Sequence, residues 1–136
     1  MKKLTAQWVR KAEADLLLAG KARQIKPPLH DLFCFHCQQA AEKYLKACLQ
    51  ERAIDPPRTH NLLRLLDLLL PSDPALRALR RGMKSLSRYA VDFRYPGASA
   101  TARQARSAVA WAERVRFEIR FRLGLSARQP RRRKSP

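Results

Sequence analysis

Apolar residues recur at three- and four-residue spacing through most of this chain, and no stretch alternates with the two-residue period of a strand. The clearest run is 33–50, FCFHCQQAAEKYLKACLQ, bounded by Pro27-Pro28 upstream and Pro56-Pro57 downstream. Phe33, Cys37, Ala40, Tyr44, Ala47 and Cys48 fall on one face of a helix there, and Gln39, Glu42, Lys46 and Gln50 on the other. The spacing predicts a central helix over about 31–51, capped near Asp31. Phe35 points away from its core face.

The other elements follow by the same reasoning. A first helix is predicted over about 5–23, with Trp8, Ala12, Asp15, Leu16 and Ala19 on one stripe. Asp15 therefore lies within an apolar face. If buried, it needs an Arg or Lys from another helix; otherwise it sits at the boundary and reaches water. A third helix, about 62–70 (LLRLLDLLL) with Thr59 as its cap, is apolar almost all round and should be largely buried. A fourth, about 75–91, turns Leu76, Leu79, Met83, Leu86 and Ala90 inward and Arg77, Arg80, Arg81, Lys84 and Arg88 outward. The turn DFRYPG separates it from a fifth, about 99–123, with Ala105, Ala108, Trp111, Ala112, Val115, Ile119 and Leu123 on its core face. Phe117 and Phe121 lie opposite, beside Arg103, Arg106 and Arg114. That mixture suits a subunit contact or a stacking and phosphate surface. The expected fold is all-α: an up-and-down antiparallel bundle of four longer helices and one short one. Residues 1–125 would form the domain and 126–136 a basic disordered tail.

Composition agrees with this picture. The chain has 136 residues, 46% hydrophobic with only 4 glycines, which fits one helical domain with a sizeable core. No apolar run is long enough for a bilayer. The N-terminal stretch reads as an amphipathic helix and not as a signal peptide, so the cytoplasm is the expected location. The three cysteines, Cys34, Cys37 and Cys48, fall on one helix. They suit small apolar side chains better than a disulfide framework or a zinc site, since only His60 is available from elsewhere. No metal or cofactor is expected.

Charge changes the picture more. The net charge is +18, with 12 Lys/Arg against 8 Asp/Glu in residues 1–76 and 17 against 3 in residues 77–136. Such an excess suits a polyanionic partner: RNA, DNA, a nucleotide or an acidic protein. A merely soluble basic surface is the alternative.

Several pieces then come together. They are CQQAAEKYLKA (37–47), Thr59-His60-Asn61-Leu62-Leu63, Tyr89 with Arg94-Tyr95-Pro96, and Trp8 with the Ala12, Asp15, Leu16, Ala19 pattern. In combination they resemble the HEPN domain (higher eukaryotes and prokaryotes nucleotide-binding) from about residue 5 to 123, and the subgroup carrying Arg-Tyr-Pro in particular. The resemblance implies a five-helix bundle, a homodimer, and a nucleotide- or RNA-binding role. It also implies service as partner or substrate-binding subunit of a minimal nucleotidyltransferase in a toxin–antitoxin or defence-type module. Many HEPN proteins are metal-independent ribonucleases with an Arg-x(4–6)-His motif. Here Arg88 is followed by Arg94 where that histidine would stand, and arginine stays protonated, so it cannot serve as general base. Whether the chain is an enzyme stays open: an endoribonuclease using Arg88, Arg94 and Tyr95, or His60 across the bundle, is one alternative, and a dimeric scaffold another. The candidate binding residues are Lys43, His60, Arg88, Tyr89, Arg94 and Tyr95. Arg88, Arg94 and His60 are also the catalytic candidates. Lys43 and Lys46 read equally as solvated positions, and Arg94 as a partner for Asp15 or Asp92.

Overall fold

The computed structural model of the protein describes residues 1–93 and 95–128. Its elements are α1 (Lys3–Gln24), α2 (His30–Glu51), α3 (Leu62–Leu69), a 3-10 helix (Pro74–Leu79), α4 (Arg80–Asp92) and α5 (Ala102–Arg122), with no strand among the described residues. This is the expected all-helical bundle of four longer helices and one short one. The core gathers Tyr44, Leu45 and Leu49 from α2, Leu62, Leu65, Leu66 and Leu69 from α3, Met83 and Leu86 from α4, and Val115 and Ile119 from α5.

The boundaries show local chemistry at work. Asn61, not Thr59, caps α3: its side-chain oxygen accepts from Leu63 N at 3.1 Å and Arg64 N at 3.3 Å. Thr59 Oγ1 accepts from Asn61 N one step earlier. Asn is as good a cap as Thr and stands directly before the first helical residue, so it satisfies the orphan amides itself. Asp31 does not cap α2 either; its carboxylate accepts the Ala100 N–H at 2.6 Å and anchors the segment entering α5. That helix begins at a capping box, with Thr101 Oγ1 accepting from Gln104 N and the Gln104 side chain accepting from Thr101 N. The predicted fourth helix is two elements. Pro74 opens a 3-10 helix, in which positions three apart eclipse one another, so Leu76 and Leu79 are buried together before α4 starts at Arg80.

The largest departure from the sequence pattern is on α2. Periodicity puts Glu42 and Lys46 on its outer face, yet they are only 3% and 7% exposed. Packing against α1 covers this part of the outer face of α2 as well. Lys46 Nζ lies 5.5 Å from the centre of the Trp8 ring of α1 and donates to Glu42 at 3.2 Å. The two charges are tolerated in the interior because each is paired. Cys34, Cys37 and Cys48 are free thiols in the core. Burial pushes Cys34 up to about 11 and Cys37 to about 12, so both remain protonated, apolar-like groups.

Asp73, between α3 and the 3-10 helix, ties two distant segments together. Arg122 of α5 donates to it, and Arg52 Nη2 donates at 2.9 Å. Chiefly the Arg122 hydrogen bond, and then that of Arg52 against a burial penalty, holds its carboxyl below the usual carboxylate range. A group with a depressed folded pKa contributes stability above its unfolded value of about 3.9, which is lost as pH falls through the folded value. Acid unfolding of the Asp73→Asn protein should therefore lose part of its pH dependence below about pH 4. Denaturant midpoints measured from pH 2 to 7 check this, and an unchanged acid limb would contradict it.

Candidate functional site

α1 and α2 share a buried charge cluster that decides which cations remain free. The expected partner for Asp15 exists: Lys43 of α2 pairs with Asp15 Oδ2, and His36 Nδ1 lies 2.9 Å from Asp15 Oδ1. Asp15 is buried and thus fully committed. Lys43, named from sequence as a ligand contact, faces this carboxylate. The half-buried Phe35 ring stands edge-on to His36, with centroids 5.3 Å apart.

One position earlier, Glu42 presents its carboxylate elsewhere. Its Oε1 accepts from His60 Nδ1 at 2.7 Å, while Oε2 receives Lys46. The His60 side chain is 75% exposed although its partner is buried. A carboxylate only accepts, so Nδ1 carries the proton and Nε2 is the ring atom open to a ligand. Gln38 Nε2 donates to the His60 carbonyl at 3.1 Å and holds the segment in place. Leu62 N then donates to Ser87 Oγ at 3.1 Å, which docks the head of α3 on the last turns of α4. His60 is two residues from that contact, and Ser87 is the residue before Arg88.

Arg88 is largely exposed; its Nε lies 3.9 Å from Asp92 Oδ2, a loose contact worth little in water. The Tyr89 ring is half-buried and stacks on Phe93 with centroids 5.4 Å apart, so it is mainly a packing residue. Tyr95 is exposed in the turn that follows. Arg94 lies outside the described residues. Of the two acids considered as its partners, Asp15 is already paired with Lys43 and His36.

Two features escape a reading of the sequence. Glu42 orients His60, but an acid on a presumed solvent face gives no signal. Gln38 carries none beyond its place in the quoted run. Among the described residues, no group of three or more His, Cys, Asp and Glu side chains is arranged to hold a metal ion. No described helix is long and apolar enough to cross a membrane.

The site is thus an exposed imidazole oriented by a buried carboxylate, with the largely exposed Arg88 and the exposed Tyr95 further along the chain on the same small helical bundle. The HEPN domain model matches residues 5–120, and the chain belongs to that family. Two solved structures share the fold. TT1696 from Thermus thermophilus is 25% identical with a TM-score of 0.75, covering 88% of this chain and 98% of that one. ST0689, an archaeal HEPN homologue, is 28% identical with a TM-score of 0.72, covering 90% of this chain and 99% of that one. No curated protein matches at a significant level.

Proposed function

We propose that this chain is a dimeric HEPN protein of the Arg94-Tyr95-Pro96 subgroup that binds a nucleotide or RNA. It acts in the cytoplasm as the partner or substrate-binding subunit of a minimal nucleotidyltransferase in a toxin–antitoxin or defence-type module. Residues 1–125 are the binding body, and the basic segment 126–136 adds sequence-independent attraction to phosphate. The observation that carries this reading is His60, three-quarters exposed on a buried Glu42, in a segment that Leu62 ties to Ser87, the residue before Arg88. A surface imidazole held this firmly fits a ligand better than it fits packing. Arg88 and Arg94 supply charge for phosphate, and Tyr95 a ring for a base. Phe117 and Phe121, 53% and 73% exposed on the outer face of α5, support the dimer.

Isothermal titration with ATP and with a short RNA tests the site. The wild-type protein should bind at least one of them, and the His60→Ala/Arg88→Ala protein should bind it at least tenfold more weakly, about 1.4 kcal/mol. Unchanged affinity would remove the site. A second reading, a metal-independent endoribonuclease, is favoured by the open Nε2 of His60, which can take a 2′-hydroxyl proton. It requires RNA cleavage in chelator that disappears in the His60→Ala protein.

A further inference from the structure

The 3-10 helix and α4 carry a second feature that the His60 surface does not use. An open groove of about 540 Å³ is lined by Leu63, Arg77, Ala78, Arg80, Arg81 and Lys84. Its lining includes two apolar side chains, half-buried Leu63 and exposed Ala78, and four cations. Arg80 Nη1 is engaged by Asp67 Oδ1 of α3 at 2.7 Å. None of the ion pairs among the described residues involves Arg77, Arg81 or Lys84. All three are exposed.

Their spacing matters as much as their charge. Arg81, Lys84 and Arg88 follow at intervals of three and four residues on one face of α4, and Arg77 of the 3-10 helix lines the same groove as Arg81 and Lys84. With about 2.0 Å rise per residue in the 3-10 segment and 1.5 Å in α4, the stripe from Arg77 to Arg88 is roughly 18 Å long. A single nucleic-acid strand places its phosphates at intervals of about 3.4 Å or more, so several face this stripe at once. A lone mononucleotide covers only part of it.

We propose that this stripe is a track for the phosphodiester backbone of a single-stranded nucleic acid, which leads along α4 to the His60–Arg88 surface. The inference rests on the binding function given above and assigns its ligand class: a strand, not a free nucleotide. Unpaired bases can rest on Leu63 and Ala78 while the cations meet the backbone, which a duplex with its bases stacked inside cannot do. Leu63 and Ala78 offer apolar contact without hydrogen-bonding edges, so the track reads no sequence along its length.

The test uses the full chain and a fluorescein-labelled 12-mer oligoribonucleotide, with a deoxyribo-oligomer of the same sequence in parallel and ATP as a third ligand. The Arg77→Glu/Arg81→Glu protein should bind the ribo-oligomer at least tenfold more weakly at low salt. The slope of log affinity against log salt should become shallower by about 1.4, since each phosphate contact on a single strand contributes about 0.7. ATP affinity should stay within twofold, and circular dichroism should be unchanged because both residues are exposed. The comparison of ribo- and deoxyribo-oligomers identifies which strand the track accepts. Wild-type affinity and salt slope in the variant would overturn the track while leaving the His60 surface standing. Equal loss of ATP and oligomer would overturn it by making the groove part of a nucleotide pocket. A wild-type protein that binds no ligand of the three would overturn both readings together.

Discussion

Replacing Glu13 by alanine is expected to destabilise the protein by about 3 kcal/mol and to lower its melting temperature by roughly 6–12 °C. Glu13 Oε1 accepts from Arg116 Nε at 2.9 Å, from Arg120 Nη1 at 3.0 Å and from Tyr44 OH at 2.6 Å. One carboxylate thus joins α1, α2 and α5. Tyr44 is fully buried, and Arg116 nearly so. Burial first, and the hydrogen bond to Glu13 next, push the Tyr44 hydroxyl up to about 12. Removing the carboxylate leaves the Arg116 guanidinium with only the carbonyls of Ala127 at 2.6 Å and Arg128 at 3.1 Å, and no opposite charge. A buried charge stripped of its partner costs about 3–5 kcal/mol. The low end applies here because Glu13 is partly exposed and Arg116 keeps those carbonyls. The Glu13→Gln protein retains an acceptor oxygen and should lose about half as much. Urea unfolding measures both, and a loss below about 1 kcal/mol for alanine would show that the junction is dispensable.

Gly82→Ala is expected to cost about 2 kcal/mol, although alanine is the better helix former by about 1 kcal/mol. Gly82 lies inside α4 and is buried. A Cβ there would stand 2.1 Å from Cδ2 and Cε3 of the Trp111 indole. Those atoms belong to the rigid ring body, so either the ring or the α4 backbone must move. Overpacking of this kind costs about 1–3 kcal/mol, and a rigid ring at this distance puts it near the upper end, against a propensity gain of about 1 kcal/mol. The sign should reverse when the ring is removed: on a Trp111→Ala background, Gly82→Ala should stabilise by up to about 1 kcal/mol. A double-mutant cycle checks this, and two additive substitutions would refute the close approach.

Much of the architecture is legible in residue order. Met83 and Leu86 of α4 and most of the inward stripe named for α5 follow from 3.6-residue periodicity and are buried. The same periodicity puts Phe117 and Phe121 on the outer side of α5, and they are exposed there. Asp15 reads as an acid that, if buried, needs a cation from another helix, and Lys43 supplies it. Other features are not legible, for identifiable reasons. Periodicity sorts the faces of one helix, but it does not say how many neighbours that helix has. On α2 the polar face is covered as well, so Glu42 and Lys46 are interior and not solvated. Glu13 gives no signal because its two arginine partners are 103 and 107 residues away in α5 and its third, Tyr44, is 31 residues away in α2. A glycine inside a helix is a weak point by propensity alone, whereas Gly82 is the space that Trp111 occupies.

By itself, the sequence determined the class of fold and its chemical bias. Leucine and alanine at helical spacing leave no other way to bury the apolar surface, and the basic excess after residue 77 sets the sign of the field around the C-terminal half. Only the tertiary structure decided which charges remain available to a ligand. A cation's availability depends on the carboxylate that packing brings within a few ångströms. Lys43 faces Asp15, Arg116 and Arg120 face Glu13, and Arg122 faces Asp73. Arg77, Arg81 and Lys84 are left in an open groove, and His60 is turned outward on Glu42.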